Sequence, residues 1–486
     1  MKKGLVVAIS VVAIVIIVVA VALRANHKSY VNVIPASAVA VAYVDLPEIV
    51  EESGVEPAVL DTIFGEEFRL QDVGLDFTEK AYIFVSKEGI PGLLFSVDDA
   101  GKLHAFLNRM QEVGRCSLPE SYRGYEWANL SDSYLVGYNS EACLIMGPSL
   151  AAAQSELRQL MLSYFDQPKV ERAVNDPMFK RLKEQEGLVA LIGKMELVPS
   201  FYSLFHAAGL SFDAATDDFL LTATLNTDEN KLRFHAEVES ADKKFEKQLK
   251  QMLSMFGHID GDLLTVIPED VYAWCGIHAD GDELIKELRK NNTFLLFLMM
   301  ANQVFDLESL IKNIDGDCSC FPLGTDFQSF VLACEVRDNQ ILKDASAWVE
   351  RSNPDMRMKW NDSIFSVKTT SFESKFGMLD DEHMFVATGV PGQVQVDQTK
   401  WNSNRLKPFE DEIEGSLIYL WLDVQKALQA DKTWMESFGT LFDPSIPEKG
   451  LAGLDVITLR MENVNNLDLT LIFEKGKSPV RQIMGN

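Results

Sequence analysis

The sequence is short of positive charge and nearly empty of catalytic signatures. Lys and Arg number 45 against 72 Asp and Glu, a formal net charge of -27. Such a surface repels phosphate backbones, so no nucleic acid is expected as a partner. No G-x-G-x-x-G or P-loop follows any strand-like run, which leaves no cradle for nucleotide phosphates. There is no G-x-S-x-G elbow and no H-x-H or H-E-x-x-H spacing. Of the seven histidines, His235 and His383 fall inside strand-like runs and read as structural. Cys116, Cys143, Cys275, Cys318, Cys320 and Cys334 include no C-x-x-C redox or zinc spacing. Cys143, Cys275 and Cys334 lie in apolar runs and read as buried thiols. No catalytic, cofactor-binding or metal-ligating residue is assigned on this basis, no cofactor is expected, and an enzyme is the less favoured reading.

What is present begins with the N-terminus. Residues 4–23 read GLVVAISVVAIVIIVVAVAL, with Ser10 the only polar side chain. At 1.5 Å per residue this run matches the ~30 Å hydrocarbon core of a bilayer. The long chain after it favours an N-terminus inside and a body outside the cytoplasm. The expectation is a cell-envelope protein, anchored in the inner membrane through residues 4–23 with residues 25–486 outside. If Ala20-Val21-Ala22 serves as a signal-peptide cleavage site, the product is secreted or periplasmic. No Cys adjoins the apolar run to accept a lipid.

A chain of 486 residues suggests two or three domains, and an internal echo points to two. Val33-Ile34-Pro35 recurs as Val266-Ile267-Pro268, each followed by a strand-like run (38–46 and 271–277) and a helix-like run (46–54 and 281–291). Asp45 and Asp280 stand near the helix starts, where a carboxylate caps free N–H groups. LLFSVDDAGKLHAFL (93–107) resembles VLACEVRDNQILKDASAW (331–348), with Asp99 matching Asp338. GYNSEACLIMG (137–147) resembles GMLDDEHMFVA (377–387). Residues 179–197 resemble 409–428, with Gly187 against Gly415. Finally LRFHAEVE (232–239) resembles LDLTLIFE (467–474). The order is kept throughout, and an extra helix over 150–165 accounts for the shift in spacing.

The expected fold class is α+β: two related halves, each a mainly antiparallel sheet with packed helices, after an N-terminal transmembrane helix. The boundaries read 1–24 anchor or signal segment, 25–32 linker, 33–240 first repeat, 241–264 connecting helix, 265–476 second repeat and 477–486 tail. Runs 219–226 with 231–240, and 454–461 with 467–474, form terminal hairpins. Residues 241–256 place Ala241, Phe245, Leu249, Met252 and Phe256 on one helical face. Residues 293–313 read as one helix, very apolar at its start but with an apolar run far too short to span a membrane; a core or interdomain position is expected, with a partner-binding groove as the second reading.

Three acidic segments share an Asp-Gly-Asp core: HIDGD (258–262), HADGDE (278–283) and NIDGD (313–317). Oxygen-rich turns of this kind can hold calcium, but each supplies only two carboxylates and the full EF-hand loop is absent. Plain turns are the simpler reading. Scattered carboxylates leave glycoside hydrolysis open without selecting a pair. Trp127, Trp274, Trp348, Trp360, Trp401, Trp421 and Trp434 are dispersed along the chain.

Residues 34–54, 72–85 and 266–288, with the Asp-Gly-Asp at 315–317, resemble a family of exported proteins of Bacteroides-type bacteria that is catalogued only as a domain of unknown function. The resemblance covers most of residues 33–475. It implies a two-repeat α+β fold and a cell-envelope location, often as a lipoprotein, and carries no functional residues. This chain departs from it by lacking a lipid-accepting Cys. The leading expectation is a membrane-tethered, non-catalytic envelope protein that binds or scaffolds a protein or envelope-component partner through its two halves. A hydrolase of envelope polymers and a calcium-stabilised adhesion or interaction module remain as alternatives.

Overall fold

The computed structural model describes residues 29–54, 69–130, 133–194, 219–240, 247, 255–324, 328–361, 363–430, 453–463, 465–476 and 478–483. The expected anchor at 4–23, nearly all of the helix expected at 241–256, and Trp434 lie outside them. Among the described residues no helix is long and apolar enough to cross a membrane. The chain is α+β and divides into two compact units at residues 194 and 195.

In the first unit the strands are β1 (Ala40–Val44), β2 (Ala81–Val85), β3 (Pro91–Ser96), β4 (Glu120–Tyr122), β5 (Tyr125–Leu130), β6 (Tyr134–Tyr138), β7 (Ala142–Met146) and β8 (Val189–Lys194). All pair antiparallel, in the order β8-β1-β2-β3-β7-β6-β5-β4. The helices are α1 (Leu46–Ser53), α2 (Ala100–Glu112), α3 (Gln154–Phe165) and α4 (Pro177–Glu184). Asp45 starts α1 by accepting from Glu48 N, and Asp99 starts α2 by accepting from Gly101 N and Lys102 N; each such cap stabilises a helix by about 1 kcal/mol. Leu103, Phe106 and Leu107 of α2 then bury against Ala128, Val136 and Cys143 of the sheet.

The second unit holds β9 (Phe219–Asp228), β10 (Lys231–Ser240), β11 (Phe256–Gly257), β12 (Ala273–Asp280), β13 (Ile314–Pro322), β14 (Phe330–Val336), β15 (Arg357–Trp360), β16 (Ile364–Lys368), β17 (Glu373–Met378), β18 (His383–Gly389), β19 (Ile418–Asp423), β20 (Leu454–Asn463) and β21 (Asn466–Phe473). They too pair antiparallel. The order is β9-β10-β21-β20-β19-β12-β13-β14-β18-β17-β16-β15, with β11 extending the sheet beside the end of β12. The hairpin β9–β10 thus joins the sheet through β21. One sheet face packs a core of Trp274, Phe321, Phe385, Trp401, Tyr419 and Trp421. Trp127 and Trp348 are buried as well, so these indoles serve packing and form no exposed platform for a sugar.

The second unit's helices are α5 (Gly281–Leu288), α6 (Asn292–Ala301), α7 (Leu307–Lys312), α8 (Ala345–Val349), α9 (Glu410–Ile413), α10 (Val424–Ala430) and α11 (Pro479–Ile483). Asp280 caps α5 through Asp282 N and Glu283 N. The single helix expected over 293–313 is two, because polar side chains cap a break: Asp306 accepts from Ser309 N and starts α7, and Asn302 accepts from Glu308 N. Of the core or interdomain position expected for its apolar start, the core placement is not observed. Of α6 only Leu298 is buried, while Leu296, Phe297, Met299 and Met300 are each more than half exposed.

Candidate binding groove

Strands β12 (AWCGIHAD) and β19 (IYLWLD) are apolar on both faces, a pattern of strands covered on both sides. One face meets the tryptophan core. On the other, side chains from six strands line a groove of about 570 Å³. The antiparallel register sets its geometry. Directly opposed residues share a face, and the pairings Cys320–Cys275, Cys275–Leu420, Leu420–Leu459 and Leu459–Leu469 run as one straight row from β13 to β21. A second row carries Phe330 opposite Pro322, and Ala273, Leu422 and Ile457 in register. Small side chains at 273, 275 and 320 form the low middle, between the ring of Phe330 and the leucines. Leu420 is 39% exposed and Phe330 42%.

Among the described residues the lining includes no carboxylate, ammonium, guanidinium or imidazole. Ser329, at the β14 end, is buried with its hydroxyl over Gly389, on the core side of the sheet, and among the described residues that hydroxyl has no hydrogen-bond partner. The indole N–H groups of Trp274 and Trp421 are likewise unpartnered. Cys275 and Cys320 are free thiols. Burial, with Cys320 beside it, pushes the Cys275 thiol up to about 12, and burial raises Cys320 as well. Both therefore stay protonated and act as small apolar groups. Sequence reasoning placed Cys275 in an apolar strand but had no means of finding the row. That row depends on pairing between residues 145 positions apart in the case of Cys275 and Leu420.

The three Asp-Gly-Asp segments converge at another place. His278 pairs with Asp317 and Asp280 with Asp315 across β12 and β13. Asp315-Gly316-Asp317 is no turn: it lies inside β13 at a local irregularity, with Gly316 at φ 143°. A Cβ there would sit 1.8 Å from Glu335 Oε2, which is why the position takes Gly. The Asp317 carboxylate is 2% exposed. It accepts from Asp260 N (3.1 Å to each oxygen) and Gly261 N (2.7 Å), and lies 3.1 Å from His278 Nδ1. Ligand atoms of Asp260, His278 and Asp317 fall within 4.8 Å of one another, a spacing that a metal ion could use. The Asp317 oxygens, however, already face backbone N–H groups, so the cluster works as a latch holding loop 258–262 to the sheet.

Glu335 backs this latch by accepting from Asp317 N at 2.7 Å. Burial raises its carboxyl, and the charges of Asp317 and Asp262 add to the rise. Arg337 neutralises the outer acids, pairing with Asp282, with Asp315 at 3.2 Å and with Asp280 at 3.6 Å. His235 Nδ1 lies 2.7 Å from Asp468, and His383 Nδ1 2.8 Å from Asp380; both stand in strands, β10 and β18.

Residues 71–442 match the family described as Domain of unknown function (DUF4836), and the chain belongs to it. No curated protein matches the chain. Among solved structures, crystal form IV of TP0453 is similar at 15% identity and a TM-score of 0.27, over 43% of this chain and 79% of that one. Crystal form I gives 14% identity and a TM-score of 0.27, over 49% and 90%. Scores this low argue neither a shared fold nor a shared activity.

Proposed function

We propose that this member of the family is a non-catalytic binding protein of the cell envelope, tethered to the membrane by residues 4–23, as in exported proteins of Bacteroides-type bacteria. Its recognition surface is the apolar groove of the second unit. The observation that carries this reading is a lining that, among the described residues, has no acid or base: it suits holding an apolar group and offers no group to move a proton for polymer hydrolysis.

The body is built by duplication in this reading. Support comes from strand order, since β8-β1-β2-β3-β7-β6-β5-β4 and β19-β12-β13-β14-β18-β17-β16-β15 follow the same pairings. The Val-Ile-Pro segments also act alike: Pro35 bridges to Arg172 and Pro268 to Trp401. The matched strands β10 and β21 pair antiparallel so that Phe234 faces its own counterpart Leu469, the register of a local twofold. By the same matching Ala42, Ile83 and Leu191 stand where Cys275, Cys320 and Leu420 stand.

A polarity-sensitive apolar dye tests the assignment. The full chain should enhance its fluorescence, and Leu420→Asp, which sets a charge in the middle of the row, should abolish the signal with the circular dichroism spectrum unchanged. Equal enhancement by both proteins would remove the groove as the binding surface.

A further inference from the structure

We propose that the occupant of the groove is a single unbranched acyl chain of a lipid, laid across the strands along the row from Cys320 to Leu469. This rests on the binding reading above and names its ligand. The first argument is shape. The lining crosses six strands from β14 to β21, and at ~4.8 Å per strand spacing that is about 24 Å. A volume of about 570 Å³ open to the centres of water-sized atoms, spread over such a length, gives a groove about 8 Å from wall to wall, against ~10–12 Å for an α-helix with its side chains. A helix cannot enter; an extended chain can.

The second argument is chemistry. A peptide strand would bring an N–H and a C=O with every residue, and along the row these would meet only thiol and isobutyl groups. Buried amides without partners are costly. An alkyl chain brings no polar group along its length and accepts such a wall at no penalty. The length suffices too: one leaflet of a bilayer is about half of the ~30 Å core, shorter than the groove.

The test uses the full chain in a rigid, steroid-based detergent, with octanoate, dodecanoate and hexadecanoate displacing the polarity-sensitive dye. Displacement should strengthen roughly two- to fourfold per added CH₂, the upper figure holding for full burial. Leu420→Asp and Cys275→Phe, one placing a charge in the groove and one plugging it, should each weaken hexadecanoate by about tenfold or more with the folded spectrum intact. Equal displacement by the three acids, or wild-type affinity in both variants, overturns the proposal. If the dye binds and both variants release it, yet no fatty acid competes, the groove still binds and only the acyl assignment falls. If the dye ignores the variants, both readings fall. If the protein is a dimer that Leu420→Asp dissociates, a second copy fills the groove and the acyl assignment is wrong.

Discussion

Replacing Asp317 by Asn keeps the side chain's shape and removes its charge, which isolates the latch. The carboxylate is 2% exposed and faces the N–H groups of Asp260 and Gly261 and the His278 ring. Asn still offers one oxygen, but its NH₂ group must point at a donor. Hydrogen bonds to a charged group contribute about 1.5–3 kcal/mol, and a buried donor left unpaired costs about 1–3 kcal/mol. Because one acceptor survives, the expected loss is roughly 2–4 kcal/mol. For a unit of this size each kcal/mol moves the melting point by about 2–4 °C, so scanning calorimetry at pH 7 should show the second unit melting roughly 4–16 °C lower. Asp315→Asn is the control. Its carboxylate is half-exposed and paired with Arg337, so it should cost less than about 1 kcal/mol. An Asp317→Asn protein that melts with the wild type would refute the latch and return Asp317 to a role as a potential metal ligand.

Gly281→Ala should destabilise by roughly 1–3 kcal/mol, read from urea midpoints, because a Cβ there would lie 1.9 Å from Ile311 O and 2.9 Å from Ile314 O; an unchanged midpoint would show that α5 can shift away. Glu335 holds its proton more tightly folded than unfolded, since burial raises its carboxyl. Its contribution is then greatest below the ordinary carboxyl range and is lost as pH rises through the raised value. Glu335→Gln should accordingly gain on the wild type between pH 4.5 and 7, and a pH-independent difference would contradict the assignment. The Cys275 thiol, pushed up to about 12, should react with iodoacetamide at pH 8 about a thousandfold more slowly than in urea-unfolded chain; equal rates would show an open, ionised thiol.

Much of the architecture was legible because it is local. The caps Asp45 and Asp280, the terminal hairpins and the strand–turn–helix segments all rest on neighbours within a few residues. The segments 93–107 and 331–348 fall on β3 with α2 and on β14 with the α8 region, and the segments 137–147 and 377–387 on β6–β7 and on β17–β18. What failed depends on long-range pairing. Asp315-Gly316-Asp317 has turn composition, yet Glu335 and the loop at 260–262 hold it within a strand. The apolar start of 293–313 looked like core, but the caps at Asn302 and Asp306 shorten the helix and leave α6 exposed. The groove was hidden for the same reason: strands apolar on both faces do not reveal which face is left uncovered, and the row from Cys320 to Leu469 exists only in the folded register.

The most direct measurement of the central claim is crystallographic. Crystals grown with a fatty acid brominated along its chain, and measured at the bromine edge, should place the bromine between the rows of Cys275–Leu420 and Ala273–Leu422. Bromine at the exposed face of α6 with the groove filled by protein side chains, or no ordered bromine at all, would contradict it.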